Sequence, residues 1–200
     1  MRLQLNSLPS LSWAHWPAGL ILFWLVCALL GYLLPQAQPD LTHILQAPNG
    51  HAILGYDDVG REILPRLLQG ARISLSVALL VSLLSAVVGI SLGLCAGYFG
   101  GFFDTLLMRI TDIFLAFPGI LLALAFAAIL GPGLSNVILA LSLTAWVSYA
   151  RLSRIQAQSV SQQQHVLAAK SLGAAHRRIL WRHVLPLLSA PLLVEATYSM

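Results

Sequence analysis

Residues 162–186 read QQQHVLAAKSLGAAHRRILWRHVLP, a polar stretch set between two apolar ones. It carries Lys170, Arg177, Arg178 and Arg182 and no carboxylate. An Ala-Ala pair, a glycine four residues later and a Leu-Pro that opens the next apolar run predict a helix–turn–helix docking element. Built beside a membrane, such an element serves to hand force or information to something else.

The flanks of this stretch decide the class of the protein. The chain of 200 residues is 58% hydrophobic and only 9% charged, against about 25% charged in soluble domains. A bilayer core needs about 20 apolar residues of helix. Runs of that kind fall at 18–34, 73–96, 106–130, 134–150 and 184–200. The third is uncharged from Ile113 and contains Pro118, and the fifth contains Glu195 and reaches the last residue. The composition thus predicts an all-α, polytopic transmembrane bundle, in which the fifth span looks cut short. The first run reads as an uncleaved span and not as a signal peptide, because Gln36-Ala37-Gln38 is a weak cleavage site and Arg2 is the sole charge before it.

Lys and Arg in short loops set orientation. Arg151, Arg154, Lys170, Arg177, Arg178 and Arg182 lie between the fourth and fifth spans with no acid among them. That segment, 151–183, is placed in the cytosol, with the N-terminus (1–17) and the short Gly97–Asp112 connection. The segment 35–72 then lies outside. Lipid contact and orientation explain the pI of 9.5 without nucleic acid.

Gly97-Tyr98-Phe99-Gly100-Gly101 and Gly131-Pro132-Gly133 mark tight reversals. Outside, Gly55 and Gly60 bracket an acidic turn, followed by a short amphipathic helix with Ile63, Leu67 and Leu68 on one side and Arg66 on the other. Asp57 and Asp58 offer a cation site or, the better reading because adjacent carboxylates point different ways, a turn cap or a salt bridge with Arg61. Gly89, Gly93 and Gly97 share one helix face with Ser85, the small-residue spacing that lets helices approach closely in lipid. Glu195 is the ionisable side chain deep within a span. Either it faces a partner or water-filled path, or the span is displaced and it lies near the outer interface.

No catalytic constellation emerges: no Gly-x-Ser-x-Gly elbow and no His-Glu-x-x-His. A membrane-embedded enzyme is therefore the remote reading. Cys27 and Cys95 lie in apolar runs as small packing residues, and no metal site is expected. His165, His176 and His183 read as docking or surface histidines.

The 162–186 stretch resembles the signature E-A-A-x3-G-x9-I-x-L-P of permease subunits of binding-protein-dependent ABC importers. Leu167, Ala168 and Ala169 take the first three places, Gly173 the glycine, and Leu185-Pro186 the end. Leu167 stands where Glu is usual and His183 where Ile is usual. The residues 55–62, Gly70-Ala71-Arg72, Gly97–Gly101, Asp112-Ile113-Phe114, Phe117-Pro118 and Gly131–Gly133 resemble the dipeptide/oligopeptide/nickel branch, with Tyr56 in place of Thr and Glu62 in place of Asp.

The resemblance implies a type I importer permease fold in the bacterial inner membrane, carrying peptides or nickel. It implies a second, homologous permease, two ATPase subunits that bind the ATP and magnesium, and an outer solute-binding protein. The loop would be the ATPase-coupling element, with Val166, Ala169 and Leu172 as apolar contacts and the arginines meeting an acidic ATPase surface or anionic lipid. No cofactor is implied in this chain. The family core would have six spans, so a truncated, non-transporting remnant is the alternative expectation.

Overall fold

The computed structural model describes residues 15–34 and 38–199. Segments 1–14 and 35–37 and Met200 lie outside the described residues. So do the expectations placed on them: the cytosolic setting of Arg2, most of the weak cleavage site and the final residue of the fifth run. The helices are α1 (His15–Leu33), α2 (Ile63–Phe99), α3 (Gly101–Leu115), α4 (Gly119–Leu130), α5 (Leu134–Ser161), α6 (Gln164–Ser171), α7 (His176–Ile179) and α8 (Leu185–Ser199). A 3-10 turn covers Leu41–His43, and a wide π-turn, Leu180–Val184, joins α7 to α8. Among the described residues the one extended pairing is an isolated bridge between Tyr56 and Glu62. The chain forms two compact units, Met1–Ser76 and Val77–Met200.

In the first unit, α1 is apolar all round, and Leu20 to Val26 stand exposed, as suits a helix in lipid. Its end is tied to the start of α2: the Arg72 guanidinium lies 3.8 Å over the Tyr32 ring. Between the helices the backbone is held by short side chains. Asp40 caps the 3-10 turn by accepting from Thr42 N (3.0 Å) and Thr42 Oγ1 (2.6 Å). Asp57 accepts from the backbone N–H of Val59 (3.0 Å) and Arg61 (2.8 Å) and from the guanidinium of Arg61 (3.0 Å) and Arg66 (2.6 Å). Gly60, at φ +73°, lies so close to Asp40 that a Cβ would sit 2.6 Å from the Asp40 carbonyl carbon. Only glycine suits both demands.

In the second unit, α5 is the helix on which the others pack. Gly89, Gly93 and Gly97 of α2 face it, and a Cβ at any of them would come within 3.0 Å of an α5 atom. Leu94 and Tyr98 of α2, Tyr149, Ala157 and Val160 of α5, and Leu188 and Leu192 of α8 form one core cluster. Trp146, Val147 and Ala150 form a second with Ala96 and Leu107, and Phe114 meets Trp146 edge-on at 5.6 Å. Ser82 and Tyr149 hydroxyls bond at 2.9 Å within the helix pair.

Several elements differ from the sequence expectations. The amphipathic helix after the acidic turn is not separate: Ile63 opens a single 37-residue helix that runs to Phe99. The third run is broken into α3 and α4, bent by 90°. Pro118 lacks an N–H and drives Phe117 out of the helical region, which ends α3 there. The fourth run extends to Ser161. By length and composition, Ile63–Phe99 and His176–Tyr198 are able to cross a membrane, with the bent pair as a third candidate. The apolar part of α1, Gly19–Leu33, is shorter, and α5 falls outside this set. Its second half carries Arg151, Arg154, Gln156 and Gln158, and Ser153 and Ser161 there are buried against protein.

Candidate functional site

The 162–186 stretch forms α6, a glycine turn, α7 and the π-turn. The turn is a Schellman cap. Gly173 N donates to Lys170 O (3.0 Å) and Ala174 N to Ala169 O (3.1 Å), which satisfies the last carbonyls of α6. Gly173 has φ +77° and open space where a Cβ would be. The glycine is therefore required by backbone conformation and not by crowding; another residue in the left-handed region costs about 1–2 kcal/mol.

The element is anchored from below. Val166, Ile179 and Val184 are fully buried in the core cluster with Tyr98 and Leu188. Tyr98, next to the small-residue stripe, bonds His176 Nδ1 through its hydroxyl at 2.8 Å, while Lys170 Nζ lies 4.6 Å from its ring centroid. Tyr98 thus touches both helices of the loop. The sequence reading passed over it; the aromatic pair held between Gly97 and Gly100 was the available signal.

The signature positions divide. Leu167, Ala168 and Pro186 are exposed, Ala169 and Leu185 are half-buried against the core, and Gly173 sits at the exposed tip. Val166 was expected to offer an apolar contact to a partner, but it is wholly buried and has no surface to offer. Leu172, at 88% exposed, and Leu167 are the apolar side chains the tip presents. The π-turn has a local cause. Pro186 would press its ring on the Arg182 carbonyl one turn back, and widening the helix at Leu180–Val184 relieves that contact.

The arginines also divide. Arg154 makes a two-pronged pair with Asp104 of α3, one contact at 2.7 Å, joined by Gln158 at 3.4 Å. Arg151 pairs with Asp112 and donates to Thr111 Oγ1 at 3.3 Å. Neither is the free loop charge that the sequence implied. Arg177, Arg178 and Arg182 are exposed, and no carboxylate pairs with them among the described residues. Glu195 is half-buried on α8 without a hydrogen-bond partner among the described residues. It lies ten residues beyond Leu185, about 15 Å along the helix, and is not part of the loop.

Between α1 and α2, the hydrogen bonds from Thr42 hold the Asp40 carboxyl below its usual range, and Asp57 is shifted further. Its burial pushes its pKa up, but the N–H groups of Arg61 and Val59 and the Arg61 guanidinium outweigh that, and it falls from 3.8 to about 2.

Residues 89–200 match the family model described as binding-protein-dependent transport system inner membrane component. The chain is 39% identical to the dipeptide transport system permease protein DppC of Alkalihalophilus pseudofirmus, over 80% of this chain and 53% of that one. It is 41% identical to the di/tripeptide transport system permease protein DppC of Pseudomonas aeruginosa (78% and 51%). It is 45% identical to the glutathione transport system permease protein GsiD of Shigella flexneri (74% and 48%). The chain spans about half the length of these relatives.

Proposed function

Because the chain belongs to the family of binding-protein-dependent transport system inner membrane components, we propose that it acts as a permease subunit of an ATP-driven importer of short peptides. Its all-α bundle is the type I importer permease fold of that family. The relatives named above are permeases for dipeptides, di/tripeptides and glutathione, which favours peptides over nickel as the cargo. A second permease would complete the path, a solute-binding protein would deliver cargo, and two ATPase chains would hold the ATP and magnesium. The excess of Arg at 177, 178 and 182 supports a cytoplasmic placement of the loop and of the N-terminus.

The observation that carries this reading is the loop's construction. A Schellman-capped helix pair rests on buried Val166, Ile179 and Val184 and exposes Leu167, Ala168 and Leu172 at its tip. Such a pair moves as one body with α5 and α8, so force applied at the tip is passed to the helices as a rigid-body rotation. The test is peptide uptake by the assembled transporter in proteoliposomes. Gly173→Val should lower ATP-driven uptake about tenfold, the factor that 1–2 kcal/mol of tip strain supplies. Its level in the membrane should hold, and Gly173→Asn, which tolerates the left-handed region, should retain most uptake. Full uptake by the valine variant would sink the coupling role.

A further inference from the structure

The loop reading rests on the tip and leaves open which of the two expected partners, an ATPase surface or anionic lipid, the arginines behind it meet. Ala175, Arg177, Arg178, Trp181 and Arg182 line an open groove of about 640 Å³. We propose that this groove binds the phosphodiester headgroup of an anionic phospholipid, with the three guanidiniums on the phosphate and Trp181 at the glycerol–acyl boundary. The inference rests on the membrane-spanning reading of the helix that begins here.

Three observations favour a lipid. First, the chain closes its other clustered arginines with its own acids: Arg61 and Arg66 on Asp57, Arg151 on Asp112, Arg154 on Asp104. At 177, 178 and 182 it supplies none among the described residues, so three like charges face one groove and invite an external anion. Second, the groove sits in the first turns of His176–Tyr198, a helix long and apolar enough to cross a bilayer. Trp181, two-thirds exposed, lies where aromatic side chains gather at the membrane–water boundary. Third, Pro186, Ala190 and Leu193, all exposed, follow Arg182 at helical spacing along the same helix, a strip for an acyl chain. Leu193 follows Arg182 by about three turns and about 16 Å of rise, within the span of one lipid molecule. An acidic protein surface would satisfy the arginines but would leave this apolar continuation uncovered.

The experiment offers the assembled transporter, purified in detergent, equimolar phosphatidylglycerol and phosphatidylcholine with matched acyl chains. Native mass spectrometry reads the lipid retained. Phosphatidylglycerol should be held in preference, and the R177Q/R178Q/R182Q variant should lose that preference by about fivefold or more. R177K/R178K/R182K, which keeps charge and avoids dependence on one variant's folding, should retain most of it. R109Q, an exposed arginine outside the groove, should match the parent. Equal retention of both lipids by the parent, or an unchanged preference in the glutamine variant, overturns the site. Displacement of the lipid by inorganic phosphate assigns a soluble-anion site instead. A photocrosslinker at position 178 that captures an ATPase chain and no lipid assigns the groove to that partner. Extraction of the chain by alkaline carbonate would break the membrane reading itself; retention with no lipid preference breaks only this inference.

Discussion

The segments 40–62 and 162–184 are both polar connections between apolar helices, yet they are held by opposite means. The first depends on hydrogen bonds to two carboxylates. Asp40 and Asp57 together organise a 3-10 turn, a glycine reversal and two arginines, and Ala52 is its one fully buried apolar residue. The second depends on packing. Val166, Ile179 and Val184 are each completely buried, and its turn is closed by backbone bonds alone. A segment held by carboxylates responds to their protonation, whereas a segment held mainly by packing transmits displacement.

The sharpest way to break the contrast is to hollow the second segment. Ile179→Ala removes a fully buried side chain and should destabilise the loop by about 3 kcal/mol. Hydrogen exchange should rise across α6 and α7 and leave 40–62 unchanged. Equal protection in parent and variant would mean that packing does not hold the loop.

The first segment should instead answer to acid. The folded Asp57 carboxyl titrates near 2, below its ordinary 3.8. Its contribution is then fully present above about pH 4 and is lost as pH falls from 3.8 towards 2. Pepsin cleavage within 38–62 should rise over that window. Asp57→Asn should be cleaved readily at both ends of it, because the neutral amide removes both ion pairs. A wild-type cleavage rate flat from pH 4 to pH 2 would remove the distinction between the two segments.

The smallest effect is expected at Tyr98→Phe, which deletes the hydroxyl bonded to His176 but keeps the ring under Lys170. A loss of about 1 kcal/mol is expected, read as a lowered Tm, with the loop otherwise protected. Wholesale exchange of the loop in this variant would show that the polar anchor outweighs the apolar one.

Much of this was legible in the chain. The apolar runs and the glycine turn at 173 each follow from residues adjacent in sequence, where propensity and turn chemistry act directly, whereas the run 106–130 reads as one span although Pro118 breaks it. The spacing of Gly89, Gly93 and Gly97 marked a close helix contact, but not that α5 was its partner. Arg151 and Arg154 were read as free charge because their acids lie 39 and 50 residues away on α3. Val166 was read as a surface contact because its place in an eight-residue helix does not tell inside from outside.

Taken alone, the sequence determined the membrane class, the all-α content, the turn positions and the family signature. These are local properties: hydropathy over a span, a missing proline N–H, a left-handed glycine. Tertiary structure alone decided that Tyr98 anchors the loop from 78 residues away, which arginines are closed by aspartate, and which are left facing a groove. Those outcomes depend on which helix faces meet. That is set by the summed packing of many side chains and by the need to pair each charge enclosed between them, and no single stretch of sequence carries it.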